Sequence, residues 1–273
     1  MTGRHNDLTA WQELVQRVQT AGWPHGREQS FKMLPGRLLR DRLLLGIPRT
    51  ALAAPQLWSL ARELGMPPAA QDLLAGEWDR ANAVFLACEE SGAARMLKVY
   101  LEFWDEVRRA VRRGERAPQL LHLGAKWSST RPGHHEEARY LVHPLIGLKD
   151  ILRRMGGCYP AQAQATGLEL ARRIVRQAAM RAPQAPFLYL EASEADNPRH
   201  SFDINLYKSG LRVGDVAGEL RELASHFGLE RDFEPVLQEL AGRPLGHVSG
   251  GCDRHGAEFL SVYAEIAPLP DGP

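Results

Sequence analysis

The chain has 273 residues, of which 44% are hydrophobic and 25% charged, proportions that are ordinary for a globular protein with a sizeable core. Its formal net charge is +1. That balance excludes the bulk basic surface with which many proteins bind nucleic acids or anionic membranes, so any cationic site must be local.

The N-terminal residues predict no targeting to a membrane. They lack the apolar run of a signal peptide, and no apolar stretch approaches the roughly 20 residues needed to span a bilayer. Cys88, Cys158 and Cys252 are odd in number and far apart, which argues against a disulfide framework. We therefore expect a soluble protein in a reducing cytoplasm, without nucleic-acid or membrane partners.

Five pairs of strand-like segments follow one another along the chain, and residues typical of turns join the members of each pair. The pairs cover residues 30–48, 83–103, 120–145, 187–207 and 246–266. Their predicted turns lie near Pro35 and Gly36, Ser91 and Gly92, Pro132 and Gly133, Asn197 and Pro198, and His255 and Gly256. In the first pair, residues 37–45 also fit a helix, so two interpretations stay open there.

Amphipathic helices are predicted before and between these hairpins, because apolar residues recur at three- and four-residue spacings. They cover residues 6–22, 50–65, 104–114, 147–157, 163–182, 213–228 and 233–242. Asn6 or Asp7 is the expected N-cap of the first helix. No low-complexity linker interrupts the order, so we expect one domain over residues 1–267 and a disordered tail over 268–273.

The segment MLKVYLEFW, residues 96–104, indicates how these elements combine. Its alternation puts leucine, valine and phenylalanine on one face, and Lys98, Tyr100 and Glu102 on the other. Ten antiparallel strands tend to curl, and closing them into a barrel removes the sheet edges. With helices outside, the apolar faces point outward and the polar faces line a lumen. The predicted fold class is therefore α+β, an antiparallel barrel of about ten strands surrounded by helices.

The same rule, applied to every strand, predicts a lumen lined by cations, phenols and a few carboxylates. Such a lining suits an anionic ligand with an aromatic or allylic partner. The predicted inward residues are Lys32, Arg40, Arg42, Lys98, Tyr100, Glu102, His122, Gly124, Lys126, Arg139, His143, Tyr189, Glu191, Asp203, Asn205, Tyr207, His247, Ser261, Tyr263 and Glu265.

Five hairpins interleaved with helices, with the Lys98-Val99-Tyr100 pattern on one strand, resemble the ABBA (PT-barrel) prenyltransferases. The resemblance implies transfer of a prenyl group from an allylic diphosphate, such as dimethylallyl or geranyl diphosphate, to an aromatic small molecule or a peptide side chain. Asn205 and Ser261 stand where two further lysines of the Lys-x-Tyr pattern would be.

The resemblance also implies roles for particular residues. Arg42, Lys98, Lys126 and Arg139 would bind the diphosphate. Tyr100, Tyr207 and Tyr263 would shield the allylic cation, and Glu102 or Glu191 would take the acceptor's proton. No cofactor is required by the sequence, and Mg²⁺ would enter only with the diphosphate.

Two other interpretations stay open. One is a lyase or isomerase that acts on an anionic metabolite in the same kind of barrel, and the other is a non-catalytic scaffold of hairpin–helix repeats with an open sheet. GHHEEARY (133–140) and SGGCDRHG (249–256) are interpreted as turns rather than metal or nucleophile sites, because no convergent spacing or third partner accompanies them. The arginines of residues 108–116 are interpreted as a solvated helix end.

Overall fold

A closed antiparallel barrel forms the centre of the computed structural model, which describes residues 9–91, 94–159, 165–194, 197 and 199–268. The ten strands of this part of the chain are β1 (Gly26–Leu34), β2 (Arg37–Pro48), β3 (Ala83–Ser91), β4 (Ala94–Glu102), β5 (Gln119–Ser128), β6 (His135–Val142), β7 (Leu188–Glu194), β8 (His200–Asn205), β9 (Leu245–Cys252) and β10 (Glu258–Ala267). Each strand pairs with its neighbours in sequence, and β1 pairs with β10 to close the barrel. The predicted fold class is confirmed.

The first hairpin is entirely β-structure, so the helical alternative for residues 37–45 is wrong. Gly36 forms the turn with φ of +67°, a backbone conformation that glycine adopts without strain. On the far side of the turn, β2 pairs with β1 through Ser30 and Arg42, and with β3 through Arg42 and Glu89. β2 is hydrogen-bonded to β1 on one edge and to β3 on the other. These inter-strand hydrogen bonds outweigh the helical periodicity of residues 37–45.

Eight helices of the described residues connect or flank the hairpins. They are α1 (Ala10–Thr20), α2 (Ala54–Glu63), α3 (Pro68–Ala75), α4 (Trp104–Arg112), α5 (Leu148–Gly157), α6 (Thr166–Arg181), α7 (Ala217–His226) and α8 (Glu230–Leu240). The sequence analysis missed α3, which is short, with Pro67 as its N-cap and Pro68 as its first residue. None of these helices combines the length and the apolar character that crossing a membrane requires.

Thr9 is the N-cap of α1, where its backbone N–H donates to the side chain of Gln12 over 2.9 Å. The predicted caps Asn6 and Asp7 lie outside the described residues. The same is true of the predicted turn residues Gly92 and Pro198 and of residues 269–273 of the expected tail.

The apolar outer faces of the strands pack under the helices in two large clusters. Ile174 of α6, Leu220 of α7 and Phe233 of α8 belong to the first, together with strand residues of β1, β8, β9 and β10. The second joins α1, α2 and α3 to β2–β5, and it includes Leu14 and Leu57. Each such buried side chain contributes about 1.5–3 kcal/mol. This packing fixes which face of most strands points outward and leaves the alternate residues to line the lumen.

Candidate active site

A cavity of about 510 Å³ lies in the lumen, a volume in the range of small-molecule sites. We call the end of the barrel where the hairpins turn the hairpin end, and the opposite end, where helices connect successive hairpins, the helix end. The cavity reaches the helix end, since Gly26 at the start of β1 and Ala267 at the end of β10 both line it. Towards the hairpin end its lining includes Arg42 and Lys98.

Five cationic side chains converge towards the hairpin end of the lumen, and we call them the cation cluster: Lys32, Arg42, Lys98, Lys126 and Arg199. The carboxylate of Glu89 accepts from Arg42 over 2.9 Å and from Lys98 over 3.1 Å. The buried carboxylate of Glu194 accepts from Lys126 and Arg199. With all five cations charged, two carboxylates leave an excess of three positive charges, which suits a polyanionic ligand.

Three tyrosines lie in the middle of the lumen beside this cluster. Tyr100 and Tyr140 are T-shaped, with centroids 5.7 Å apart, and Tyr263 has its ring centroid 5.6 Å from the guanidinium carbon of Arg42. Tyr100 packs where β5 carries Gly124, and a Cβ at that glycine would lie 2.1 Å from Tyr100 Cδ1. The glycine therefore makes room for the Tyr100 ring inside the barrel.

The two phenols of the T-shaped pair differ in acidity. Burial raises the pKa of Tyr140, but the nearby charges of Lys126, Arg199 and Lys98 outweigh it and lower that pKa to about 8. Burial also raises the pKa of Tyr100, and the neighbouring Tyr140 adds to the increase. Tyr140 is thus the phenol that the cation cluster polarises most directly, and it is a strong hydrogen-bond donor to an anion.

Carboxylates dominate the helix end of the lumen: Glu28, Glu102, Asp203 and Glu265. The hydroxyl of Tyr207 donates to Glu28, and burial raises the pKa of Glu28 although His247 and this hydrogen bond lower it. Asp203 lies 2.7 Å from Nδ1 of His247. Burial lowers the pKa of His247, but Asp203 and Glu28 outweigh it and raise that pKa to about 9, so the ring is protonated at neutral pH.

An apolar wall runs along one side of the cavity at the depth of the acidic residues, since Leu44 is paired with Glu28 and Leu190 with Asp203. Phe85 lies with its ring centroid 5.6 Å from that of His122, and four leucines of three strands extend the wall. They are Leu44 of β2, Leu121 of β5, and Leu188 and Leu190 of β7. A lumen with cations at one end and an apolar wall in its other half suits a ligand that joins an anionic group to an apolar chain.

The inward position that the sequence predicted for Arg139 is wrong. On β6, Ala138 and Tyr140 face the lumen, and the alternate Arg139 has 61% of its side chain exposed and pairs with Glu137. The rule of polar residues inside assumed a helix over every outer face. The outer face of β6 around Arg139 is solvated, so the polar residues lie outside and the aromatic one inside.

The inward position predicted for Glu191 is also wrong, together with those of Tyr189 and His143. On β7, the inward residues include the leucines of the apolar wall and Glu194. Glu191, on the other face, accepts from Arg154 of α5 over 2.9 Å and from the hydroxyl of Tyr189 over 3.1 Å. Nε2 of His143 lies 3.3 Å from the same carboxylate. A half-buried network around the Arg154–Glu191 ion pair under α5 explains these polar residues.

Six of the other predicted site residues share the lumen: Arg42, Lys98, Tyr100, Glu102, Lys126 and Tyr263. Tyr207 follows the end of β8 in a 3₁₀ turn, and its hydroxyl still reaches the cavity. Arg40, predicted inward, is exposed beside the irregularity in the pairing of β1 with β2.

Several lumen residues were missed by the sequence analysis. Glu28 continues the alternation of Ser30 and Lys32, and an earlier start of the first hairpin would have found it. Tyr140 was missed because the sequence predicted the opposite face of β6, that of Arg139, to point inward. Arg199 precedes β8 in a turn without periodicity, so the sequence carries no signal for it.

Neither of the two other motifs forms a metal site within the described part of the chain, where no group of three or more potential ligands converges. Glu136 of the first motif accepts from Arg254 of the second at the hairpin end. Asp253 accepts from the backbone N–H of His255 over 2.8 Å, which closes the last hairpin turn.

No protein-family model and no curated protein matches the sequence. Solved structures match its fold. The chain is similar to 5-dimethylallyltryptophan synthase from Streptomyces coelicolor, with 16% identity, 88% of this chain and 80% of that chain covered, and a TM-score of 0.58.

It is also similar to PriB in its binary complex with product diphosphate, with 16% identity, 91% and 83% of the two chains covered, and a TM-score of 0.57. The prenyltransferase PriB in its ternary complex with L-tryptophan and dimethylallyl thiolodiphosphate matches with the same identity and coverage and a TM-score of 0.54. The closed barrel of ten strands surrounded by helices is therefore the ABBA, or PT-barrel, fold. At this identity the likeness establishes the fold, and function is argued from the site.

Proposed function

We propose that the protein transfers a prenyl group from an allylic diphosphate to an aromatic small molecule or a peptide side chain. The observation that carries the proposal is the polarity of one lumen, with the cation cluster towards the hairpin end and carboxylates at the helix end. An allylic diphosphate has the matching shape, a polyanion joined to an apolar chain. Lys98, Tyr100, Tyr207 and Tyr263 line this one cavity, whereas an open scaffold would leave them on separate solvated faces. This disfavours the scaffold interpretation.

In this proposal the diphosphate lies against the cation cluster. Arg42 and Lys98 line the cavity and would contact the phosphate oxygens directly, while Lys126 and Arg199 would add their charge from behind Tyr140. The hydroxyls of Tyr100, Tyr140 and Tyr263 would donate to the same oxygens. Preorganised donors of this kind stabilise a leaving group without reorganisation during the reaction.

The reaction begins with cleavage of the bond between the allylic carbon and the diphosphate oxygen, and its electron pair leaves on oxygen. The faces of the lumen tyrosines and of Phe85 would stabilise the allylic cation and exclude water. A new bond then forms between the allylic carbon and the acceptor, and the acceptor loses a proton.

Glu28 is the proposed acceptor of that proton. Its pKa is raised by burial, which strengthens it as a base, and the Tyr207 hydroxyl fixes its orientation. Glu102 lies in the same half of the lumen, with its carboxylate 3.4 Å from Nε2 of His122, and is the second candidate. Glu191, on the outer face of β7, has no access to an acceptor in the lumen.

Further parts of the proposal rest on composition and chemistry. Mg²⁺ would arrive with the diphosphate as part of the substrate, because the cation cluster already supplies positive charge at that position. A cytoplasmic location is proposed from the three buried cysteines, which are all unpaired. A bacterial origin is proposed from the richness in alanine, arginine, leucine and proline. A role in secondary metabolism, including the modification of ribosomally made peptides, is proposed from the resemblance to the ABBA prenyltransferases.

A thermal-shift titration tests the proposal. Dimethylallyl, geranyl and farnesyl thiolodiphosphates are compared with inorganic diphosphate and adenosine diphosphate, each with and without Mg²⁺. We expect one allylic analogue to raise the Tm as its concentration increases. Lys98→Ala should abolish the shift, and Lys149→Ala, an exposed lysine on α5, should leave it intact. No shift with any allylic analogue would overturn the proposal and favour a lyase or isomerase of another anion.

A further inference from the structure

Lys32 differs from the other members of the cation cluster because no carboxylate neutralises it. Arg42 and Lys98 pair with Glu89, and the remaining two cations pair with Glu194. Among the described residues, Lys32 has no ion pair, and its ammonium lies 3.8 Å from the ring centroid of Phe259. When it is protonated, its ammonium can therefore contact an anionic ligand without first leaving a carboxylate.

The register of the barrel sets Lys32 opposite Ser261. The two residues are paired across β1 and β10, one step in the alternation beyond the paired Ser30 and Tyr263, which line the cavity. Ser261-Val262-Tyr263 on β10 repeats the pattern of Lys98-Val99-Tyr100 on β4, but with a serine in place of the lysine. Ser261 Oγ is 3.4 Å from Nη1 of Arg42, so a cation at this position would belong to the same cluster.

The surroundings of Lys32 make its charge costly in the free protein. It is faced by Arg42 of β2, Glu89 of β3, Lys98 of β4 and Arg199 before β8. Burial lowers the pKa of Lys32, the repulsion from Arg42 adds to this, and the value falls to about 7 although Glu89 opposes the change. A diphosphate beside it would reverse the balance, because an anion favours the protonated form.

We propose that Lys32 binds the diphosphate in place of the lysine that β10 lacks at Ser261. This inference rests on the proposed function of the same lumen. The four-carbon side chain of Lys32 turns its ammonium from the Phe259 ring towards the oxygens held by Arg42. Without ligand, the ammonium stays in its cation–π contact with the Phe259 ring.

Proton uptake on binding follows from this role. Below pH 7 Lys32 is already protonated, so binding takes up no proton there. Above pH 7 the free protein must gain a proton at Lys32 in order to bind, and the dissociation constant should rise by up to tenfold per pH unit, to an extent set by the pKa of Lys32 in the complex.

The test is calorimetric titration of the full chain with dimethylallyl thiolodiphosphate and with inorganic diphosphate from pH 6 to 9. At pH 6.5 we expect Lys32→Gln to weaken binding by about 10- to 100-fold, the loss of one charge-assisted contact, and Lys149→Gln to leave it unchanged. Lys32→Arg keeps its charge throughout the range, so the part of the loss above pH 7 that comes from Lys32 disappears. The titrations of the ligand and of Tyr140 and Lys126, whose pKa values are about 8, remain in both proteins.

A double variant that moves the cation from β1 to the paired position on β10 distinguishes an effect on binding from an effect on folding. The double variant Lys32→Gln, Ser261→Lys restores the cation from the facing strand, and we expect it to recover at least half of the lost binding free energy. Equal affinities and equal pH slopes for wild type and Lys32→Gln would overturn this inference while the proposed function stands. A wild-type protein that binds neither ligand would overturn both.

Discussion

Gly124 sets the position of the Tyr100 ring, and a single methyl group should displace it. A Cβ at residue 124 would lie 2.1 Å from Cδ1 and 2.4 Å from Cε1 of Tyr100. Because barrel walls surround this ring, we expect Gly124→Ala to cost about 1–3 kcal/mol of unfolding free energy. It should also weaken binding of dimethylallyl thiolodiphosphate, because the phenol moves away from the cation cluster.

Denaturant unfolding and calorimetric titration check this expectation, with Gly218→Ala as the matched control. A Cβ at Gly218 of α7 meets nothing within 4 Å, so that variant should gain about 0.5–1 kcal/mol from helix propensity and bind as wild type does. Unchanged stability and affinity in Gly124→Ala would mean that the Tyr100 ring adapts and is not positioned by the glycine.

At the scale of one strand, the outward position of Glu191 on β7 makes it a structural carboxylate rather than a catalytic base. The resemblance implied Glu102 or Glu191 as the base, but the carboxylate of Glu191 joins Arg154 of α5 to Tyr189 and His143 outside the lumen. We expect Glu191→Gln to lower the unfolding free energy by about 1–3 kcal/mol, because Arg154 loses its charged partner. The rate of prenyl transfer per folded molecule should not change.

Thermal unfolding together with a rate normalised to the folded fraction measures both effects. Arg154→Gln is the matched control, since it breaks the same pair from the helix side. A loss of rate greater than the loss of folded protein would contradict the structural role and restore Glu191 as a catalytic candidate.

The strands also explain how much the sequence could predict. On β4, Lys98, Tyr100 and Glu102 alternate with apolar residues that pack under helices, so the alternation gives the inward face correctly. On β6 and β7 the same alternation exists, but Arg139 and Glu191 lie on the outer faces, solvated or paired under α5, and the inward faces carry Tyr140, the leucines and Glu194. Periodicity reports which residues share a face, and only the packing of helices reports which face is inside.

At the scale of the whole barrel, the sequence predicted ten strands and their order but not which lumen residues lie at the same depth. That depth depends on the register of all ten pairings, including the irregularities of β1 with β2 and of β5 with β6. Arg199 and Glu194 reach the cation cluster only because β7 and β8 meet at this depth. The separation of the cationic and acidic ends is therefore a property of the closed barrel.

This separation predicts that the two ends serve different steps. Glu28 lies with the carboxylates of the helix end, and the Tyr207 hydroxyl would donate to a glutamine amide oxygen as it does to the carboxylate. We therefore expect Glu28→Gln to slow prenyl transfer by about 10²- to 10⁴-fold, the usual loss for a general base. Its affinity for dimethylallyl thiolodiphosphate should stay within about twofold of wild type, because the cation cluster is untouched.

Lys98→Ala should behave in the opposite way, with a weakened analogue affinity that accounts for its loss of rate at low substrate. Single-turnover rates and calorimetric affinities for both variants distinguish the two ends, and Glu222→Gln, whose side chain is exposed, is the control for loss of a carboxylate. If Glu28→Gln weakened analogue binding as strongly as it slowed the reaction, the carboxylates of the helix end would contribute to diphosphate binding, and the two ends would not serve separate steps. Proton removal would then have to be assigned to Glu102 or to the diphosphate itself.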